Sequence, residues 1–255
     1  VLGNLTTKEF DPILMLDSFD SINPDDYTAG FPMHPHRGIE TISYVSRGKM
    51  VHRDSLGNEA GISDGEVQWM NSGSGIMHEE MVPAAERLLG VQLWLNLPAK
   101  DKMSKPSYNS IKNEDIKEIE IEGGKIRLLA GKYGEHEGYK GDYLSMDYYD
   151  IHLNADAEVT LTMEEDDSVM VFTLLGDVYI DGEHIEEKTA VKLTEGDSLT
   201  IKNGNEKAQV LYMNSRALNE PVAWAGPIVM NTQEELQKAF LELRSNTFIK
   251  ETAEY

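Results

Sequence analysis

The chain has 255 residues, enough for two domains of about 100–150 residues each, and its 40% hydrophobic content is sufficient for packed cores. Its 45 acidic and 23 basic residues give a net charge of −22, and without a Lys/Arg cluster this charge disfavours direct binding to nucleic acid. The absence of cysteine excludes disulfides, thiolate metal ligands and a cysteine nucleophile, and it favours a reducing, cytoplasmic location. No apolar run reaches the about 18 residues of a transmembrane helix, so we expect no membrane partner.

Short apolar or alternating segments follow one another along the chain, separated by Gly, Asn and Asp turns. In chain order they include TISYVSRGKMVHRDSLGN, EVQWM, LLGVQLWLNL, KIRLLAG, YLSMDYYDIHL, AEVTLTM, VMVFTLLGDVYIDG, TAVKLTEGDSLTI and AQVLYMN. Short strands at such regular spacing are typical of an antiparallel sandwich or barrel. The sequence therefore predicts an all-β fold.

A similar sequence pattern, a strand, a glycine turn, a second strand and then DG or GD before a third strand, occurs in both halves of the chain. This repeat predicts a duplicated β-barrel. The first half has ISYVSRGKMVH…ISDGEVQWM and the second has VFTLLGDVYID…LTEGDSLTI, with the polar residues 98–124 as a connector. One helix is predicted near the C-terminus, where Thr232 and Glu235 form a capping-box pair. The apolar residues that share one face of this helix are Leu236, Ala239, Phe240 and Leu243.

The stretch FPMHPHRGIE places two of the seven histidines, His34 and His36, at a spacing of two residues. Side chains alternate along a strand, so both imidazoles face the same side, and His78 and Glu80 share that relation on a second segment. Two such strands could bring three nitrogens and one oxygen to a single metal ion. These donors suit Fe(II), and also Mn, Co, Ni, Cu or Zn. From spacing alone, structural histidines and a metal site remain equally open.

Other candidates compete with this set of ligands. Glu40 shares the parity of the two histidines but lies roughly 13 Å from His36 along an ideal strand, so Glu80 ranks first. Glu79 is expected to face outward, and His52 is a candidate for the pocket or for a structural role. The remaining histidines, interpreted as structural or exposed, are His136, His152 and His184.

Several of these stretches resemble the pirin family, a branch of the bicupins. They are HPHRGIETISYV, HRDSLGN, GEVQWMNSGSGIMHEEM, VQLWLNL, GDVYIDG, EGDSLTI and EPVAWAGPIVMNTQEEL, and they extend over nearly the whole chain. The resemblance implies two cupin (jelly-roll) β-barrels in tandem with a C-terminal helix. The domains we expect are residues 1–115, an N-terminal barrel carrying the metal, and residues 116–255, a metal-free C-terminal barrel with the helix.

The resemblance also implies Fe(II) held by His34, His36, His78 and Glu80, and a structural role near the site for Glu40. The acidic run EEDD at residues 164–167 is expected to be a solvated turn. Two departures from the pattern are Asn71, where the general cupin motif has proline, and a start at Val1, since family members usually begin earlier. We therefore expect residues upstream of Val1.

Family membership further implies a quercetin 2,3-dioxygenase, which opens the central ring of a flavonol with O2 and releases carbon monoxide. Glu80 is then the general base for the flavonol hydroxyl. Apolar candidates for the substrate pocket are Trp69, Met33, Met70 and Met77. The alternative function is a redox-responsive iron protein that binds transcription factors or metabolic enzymes, and other cupin chemistry such as isomerisation or decarboxylation is a third.

Overall fold

The computed structural model of the chain describes residues 1–194 and 196–251. Glu195, which falls within the stretch TAVKLTEGDSLTI, and residues 252–255, at the end of the second expected domain, lie outside the described residues. The described part consists mostly of β-strands with one α-helix near the C-terminus, which confirms the predicted fold class.

The first barrel is built from two sheets. Its strands are β1 (Ile13–Ser21), β2 (Phe31–His36), β3 (Ile39–Arg47), β4 (Lys49–Asp54), β5 (Glu59–Ser63), β6 (Glu66–Asn71), β7 (Ile76–Met81), β8 (Leu88–Asn96) and β9 (Ser107–Ile111). One sheet has the order β1-β8-β3-β6-β9 and the other the order β2-β7-β4-β5. Short 3-10 turns lie at Pro24–Asp26 and Ala99–Asp101.

The second barrel repeats this plan. Its strands are β10 (Lys117–Ile121), β11 (Gly124–Ala130), β12 (Lys132–Tyr133), β13 (His136–Glu137), β14 (Met146–Leu153), β15 (Glu158–Thr162), β16 (Asp167–Leu175), β17 (Val178–Ile180), β18 (Glu183–Ile185), β19 (Ala190–Lys192), β20 (Ser198–Asn203) and β21 (Ala208–Arg216). The larger sheet has the order β10-β11-β14-β21-β16-β19 and the smaller one β15-β20-β17-β18, with β12 and β13 as a separate pair.

The chain ends with a small hairpin and a helix, namely β22 (Ala223–Ala225), β23 (Ile228–Met230) and α1 (Gln233–Arg244). The predicted capping box is present: the Glu235 amide donates to the Thr232 hydroxyl, and the Glu235 carboxylate accepts from the Thr232 amide. Buried Leu236 and Ala239 pack against β22 and β23 in one small core.

Grouping residues by their contacts gives two units. The first barrel unit comprises Leu2–Lys8, Ile13–Lys112 and residues 218–251, and the second comprises Val1, Glu9–Pro12 and Asn113–Ala217. The helix therefore groups with the first barrel, whereas the sequence placed it in the second domain. The physical reason is a long-range contact, since the Val229 amide donates to the Arg37 carbonyl oxygen at 3.1 Å. The domain boundaries themselves stay a prediction.

Strand alternation explains how each barrel builds its interior. On β15 and β20 every second side chain is buried and its neighbours are exposed, as a sheet with one covered face requires. On β7 buried side chains likewise alternate with half-buried or exposed ones. Within the described residues, no helix is long and apolar enough to cross a membrane.

Candidate metal centre

Three predicted ligands come together in the first barrel. His34 on β2 pairs directly with His78 on β7, and alternation places His36 on the same side. The imidazole centroids are 4.3 Å apart for His34 and His78, 4.8 Å for His34 and His36, and 5.0 Å for His36 and His78. One ring nitrogen from each histidine lies within 4.8 Å of the other two. His36 and His78 are buried and His34 is half-buried.

Two glycines set the turns beside the ligand strands. Gly38 follows β2 with φ +80°, and a Cβ there would lie 1.9 Å from the Val229 carbonyl oxygen. Gly75 precedes β7 with φ +135°, where a Cβ would lie 3.0 Å from Phe248. Because only glycine adopts these angles freely and leaves this space, the backbone can approach so closely at both ends.

Backbone carbonyls fix the protons of the first two imidazoles. The Pro32 carbonyl oxygen lies 2.8 Å from His34 Nδ1, and the Pro227 carbonyl oxygen lies 3.0 Å from His36 Nδ1. A carbonyl oxygen only accepts, so each Nδ1 carries the hydrogen and each Nε2 presents a lone pair. Burial, followed by the electrostatic effect of the neighbouring His34 ring, lowers the pKa of His36 to about 3, which keeps the His36 ring neutral near pH 7.

His78 is held by a second pair of side chains. Its Nδ1 lies 3.4 Å from His52 Nδ1, while His52 Nε2 donates to Asp54 Oδ2 at 2.8 Å. The His52 ring stacks on Tyr108 with centroids 4.0 Å apart. Burial, followed by the neighbouring histidines, lowers the pKa of His78, so this imidazole is neutral too. Its Nε2 is buried with no hydrogen-bond partner among the described residues.

These observations fit a metal ion. His34 Nε2 and His36 Nε2 lie 3.0 Å apart, and two facing lone pairs repel each other unless a cation or a proton lies nearby. His78 belongs to the same three-histidine group, and its Nε2 is the ring nitrogen without a hydrogen-bond partner. A buried polar atom without a partner costs free energy, and a metal ion would supply the missing partner. Neutral imidazoles whose other nitrogen is hydrogen-bonded are typical metal ligands.

The fourth predicted ligand, Glu80, lies two residues after His78 and is held by amides. Its carboxylate accepts hydrogen bonds from Gln68 Nε2 and, at 3.1 and 3.2 Å, from Gln92 Nε2. Both amides also donate to Ser43 Oγ. Burial raises the pKa of Glu80, and the Gln92 hydrogen bond partly opposes this. Glu80 is outside the group formed by the three imidazoles, so its role as a ligand stays a prediction.

The competing carboxylates lie elsewhere. Glu40 is buried on β3, in the other sheet, where its cross-strand partners are Asn71 and Leu95. Glu79 is half-buried, and its carboxylate lies 3.8 Å from the Arg53 guanidinium.

The remaining histidines lie in the second barrel. His152 pairs with the buried Asp150 at 2.8 Å, and His184 pairs with Asp177 at 3.0 Å on the surface. His136 is exposed on β13. In the acidic run, the Glu164 amide donates to Asp167 Oδ2 across a turn.

Sequence reasoning missed the two glutamines of the site and two of its aromatic neighbours, Trp94 and Tyr108. Gln68 and Gln92 interrupt apolar strands in EVQWM and VQLWLNL, and such an isolated polar residue was the available signal. Trp94 meets the His36 ring edge-on at 5.0 Å. Among the pocket candidates, Trp69 and Met70 are buried on β6, Met77 is half-buried and Met33 is half exposed.

The two barrels and the three-histidine group define the class of protein, a bicupin with a candidate metal centre in its first barrel. Residues 2–95 match the Pirin family model and residues 148–249 match the model of the Pirin C-terminal cupin domain. The chain belongs to the pirin family, as the sequence motifs indicated.

Known proteins extend this match. A Pseudomonas aeruginosa protein named as a candidate quercetin 2,3-dioxygenase is 38% identical over 96% of this chain and 89% of its own length. The solved structure of a quercetin 2,3-dioxygenase from Acinetobacter baumannii is 33% identical, with a TM-score of 0.87 over 94% of this chain and 87% of that one. A bacterial pirin from Escherichia coli, solved in complex with nickel(II), shares the fold at 22% identity, with a TM-score of 0.65 over 82% of this chain and 84% of that one.

Proposed function

We propose that the chain is a metal-dependent dioxygenase that opens the central ring of flavonols such as quercetin and releases carbon monoxide. The observation that carries this proposal is the group of three buried or half-buried imidazoles, His34, His36 and His78, with one ring nitrogen of each within 4.8 Å of the others, two residues away from the buried carboxylate of Glu80. The names borne by the relatives support the choice of substrate.

The three histidines would hold the ion, with Glu80 as the fourth ligand. We propose Fe(II), although the same donors also bind Mn, Co, Ni, Cu or Zn. When bound, the ion supplies Lewis-acid polarisation and electron exchange with dioxygen. The pattern of hydrogen bonds supports this assignment, since His34 Nδ1 and His36 Nδ1 are already engaged by carbonyls and leave Nε2 for the ion.

Glu80 is also the proposed general base. It would accept the proton of a flavonol hydroxyl, which makes the substrate electron-rich towards dioxygen. In the metal-free chain, burial raises the pKa of Glu80, and a raised pKa makes a carboxylate a stronger base than one on the surface. The amides of Gln68 and Gln92 keep its oxygens in a fixed orientation while the proton is transferred. Both atoms of O2 end in the products as the ring opens and one carbon leaves as carbon monoxide.

The test measures turnover of quercetin by protein that has been loaded with a known amount of iron. Protein purified without a histidine tag is loaded with Fe(II) anaerobically, and quercetin loss and carbon monoxide release are then followed with and without air. We expect oxygen-dependent carbon monoxide, and a fall in kcat of roughly 10²- to 10⁴-fold in Glu80→Gln, since that is the typical contribution of a general base. Glu79→Gln, on the same strand but paired with Arg53, is the matched control and should keep its activity.

Two outcomes would redirect the proposal. Stoichiometric iron without carbon monoxide would favour the redox-responsive regulator, tested next by capture of a protein partner in the oxidised and reduced states. Equal turnover in Glu80→Gln and Glu79→Gln would remove Glu80 from the chemistry.

A further inference from the structure

Behind the histidines lies a buried chain of hydrogen bonds that the proposed chemistry does not use. It runs from Asp54 on β4 through His52 to His78 on β7, at 2.8 Å and 3.4 Å. The Asp54 and His52 side chains are fully buried. The register explains the order, since Asp54 lies directly across from His78 and His52 directly across from Glu80.

We propose that Asp54, acting through His52, keeps the proton of His78 on Nδ1 and so reserves its Nε2 lone pair for the metal. Both are positioning residues, and this inference rests on the proposed metal site.

The direction of each hydrogen bond follows from the acceptor at the end of the chain. Burial acts to raise the pKa of Asp54, but hydrogen bonds from His52 and Asn58 hold it below its ordinary value, so the carboxylate is ionised and only accepts. His52 must therefore carry a hydrogen on Nε2, and in the neutral ring this leaves Nδ1 as an acceptor. The only donor facing that nitrogen at hydrogen-bond distance among the described residues is His78 Nδ1.

Tyr108 and the turn after β4 hold this chain in place. The Tyr108 ring lies nearly parallel to His52, at an interplanar angle of 13°, and limits rotation of the imidazole. Asp54 Oδ1 accepts from the backbone amides of Leu56 and Asn58, at 2.9 and 3.1 Å, and Oδ2 accepts from the Asn58 side chain at 2.8 Å. Asp54 thus faces two fixed backbone donors on one oxygen and two adaptable side chains on the other.

This asymmetry predicts what Asp54→Asn does. The two backbone amides cannot turn, so they retain the amide oxygen of Asn, and the new NH2 group takes the place of Oδ2 towards His52. The Asn58 side chain can rotate to present its own oxygen. His52 Nε2 then becomes an acceptor, Nδ1 becomes the donor, and the proton of His78 moves to Nε2. The metal would have to displace that proton.

The first experiment is long-range ¹H–¹⁵N NMR on the metal-free protein labelled at histidine. In the wild type we expect His78 protonated on Nδ1 and His52 on Nε2, and in Asp54→Asn the reverse for both. Nickel(II) affinity, measured by titration, should fall roughly 10- to 100-fold in the variant, the usual effect of removing a partner behind a metal ligand.

A control variant distinguishes an effect on the turn after β4 from an effect on the position of the His78 proton. Asn58→Ala removes one turn contact and leaves both backbone amides and the Asp54–His52 bond, so it should keep the wild-type tautomers and nickel affinity. If Asp54→Asn does not fold, His52→Phe retains the ring against Tyr108 but has no nitrogen. His78 Nδ1 then has no acceptor in His52, so we expect proton on Nε2 and the same loss of affinity.

The outcomes distinguish this inference from the proposed function. An unchanged His78 tautomer in the variants would overturn the inference even if nickel binds. If the wild-type protein shows the expected tautomers but binds neither nickel nor iron, the proposed metal site is wrong.

Discussion

The two barrels share one strand order but differ in the side chains that face their interiors. The small sheet of the first barrel, β2-β7-β4-β5, corresponds strand for strand to β15-β20-β17-β18 in the second, and β1-β8-β3-β6 corresponds to β14-β21-β16-β19. Yet β2 and β7 carry His34, His36, His78 and Glu80, whereas β15 and β20 bury aliphatic side chains. The topology therefore specifies the barrel, and the inward residues of two strands specify whether it has a site.

The difference has a cost in stability. In the second barrel Val159, Leu161, Leu199 and Ile201 belong to one apolar core, and each buried Å² of such surface contributes about 25 cal/mol. In the first barrel the same sheet buries imidazoles and a carboxylate, which stabilise the fold only when hydrogen-bonded or metal-bound. We therefore expect the small sheet of the second barrel to contribute more to the free energy of unfolding than the corresponding sheet of the first, where polar side chains replace part of the apolar core.

The largest effect we expect is loss of metal from the first barrel. His36→Ala removes one of the three grouped imidazoles and leaves two, too few for the tight binding that three imidazoles give, so stoichiometric metal should disappear. Metal content after reconstitution with Fe(II), measured by elemental analysis, tests this. His184→Ala in the second barrel removes only an exposed pair with Asp177 and should retain full metal. Equal metal in both variants would mean that the three-histidine group is structural.

A smaller effect is expected when the chemistry of the first barrel is placed in the second. Ile201→His places an imidazole between Val159 and Ile180, where the surrounding side chains are apolar and provide no hydrogen-bond partner and no second metal ligand. We expect the free energy of unfolding of the second barrel to fall by about 3 kcal/mol, from lost apolar burial and an unsatisfied polar group. Thr200→His, on the exposed face of the same strand, should change it by less than about 0.5 kcal/mol.

Spectroscopy can assign this effect to one barrel. The three tryptophans, Trp69, Trp94 and Trp224, all lie in the first barrel unit. Urea unfolding followed by circular dichroism should therefore shift in Ile201→His, while tryptophan fluorescence reports on the first barrel. Wild-type stability in Ile201→His would show that the second interior tolerates polar groups as the first does, and the comparison would fail.

The parts of this molecule that sequence could predict depend on local patterns. Alternation and repeated turns predicted the duplicated barrel, and the parity of His34, His36, His78 and Glu80 predicted that they share a side. The Asp54–His52–His78 chain depends on which residues of β4 and β7 lie opposite each other, and alternation within one strand does not contain that register. The return of the C-terminal helix to the first barrel depends on contacts far apart in sequence, such as the ion pair between Arg37 and Glu242 at 2.8 Å.

A pH-dependent effect is expected at Lys102, a buried cation in the first barrel. Its ammonium donates to the carbonyl oxygens of Gly38 and Val229 and to the Asn96 side chain. Burial lowers the pKa of Lys102 from 10.5 to about 7 in the folded chain. Between these values the unfolded chain binds more protons than the folded one, so the free energy of unfolding rises with pH. Below pH 7 both states are protonated, and the cost of burying the charge is fully present.

Lys102→Met removes this proton and should flatten the pH dependence between pH 7 and 10, a slope of at most about 1.4 kcal/mol per pH unit for one group. Urea unfolding of the first barrel by tryptophan fluorescence, at several pH values, measures it. Lys100→Met removes an exposed neighbour and should retain the wild-type slope. If Lys102→Met and wild type rise in parallel, the three acceptors hold the ammonium charged despite its burial, and this polar group of the first barrel costs nothing. The comparison would then be confined to the histidines and Glu80, the proposed metal ligands.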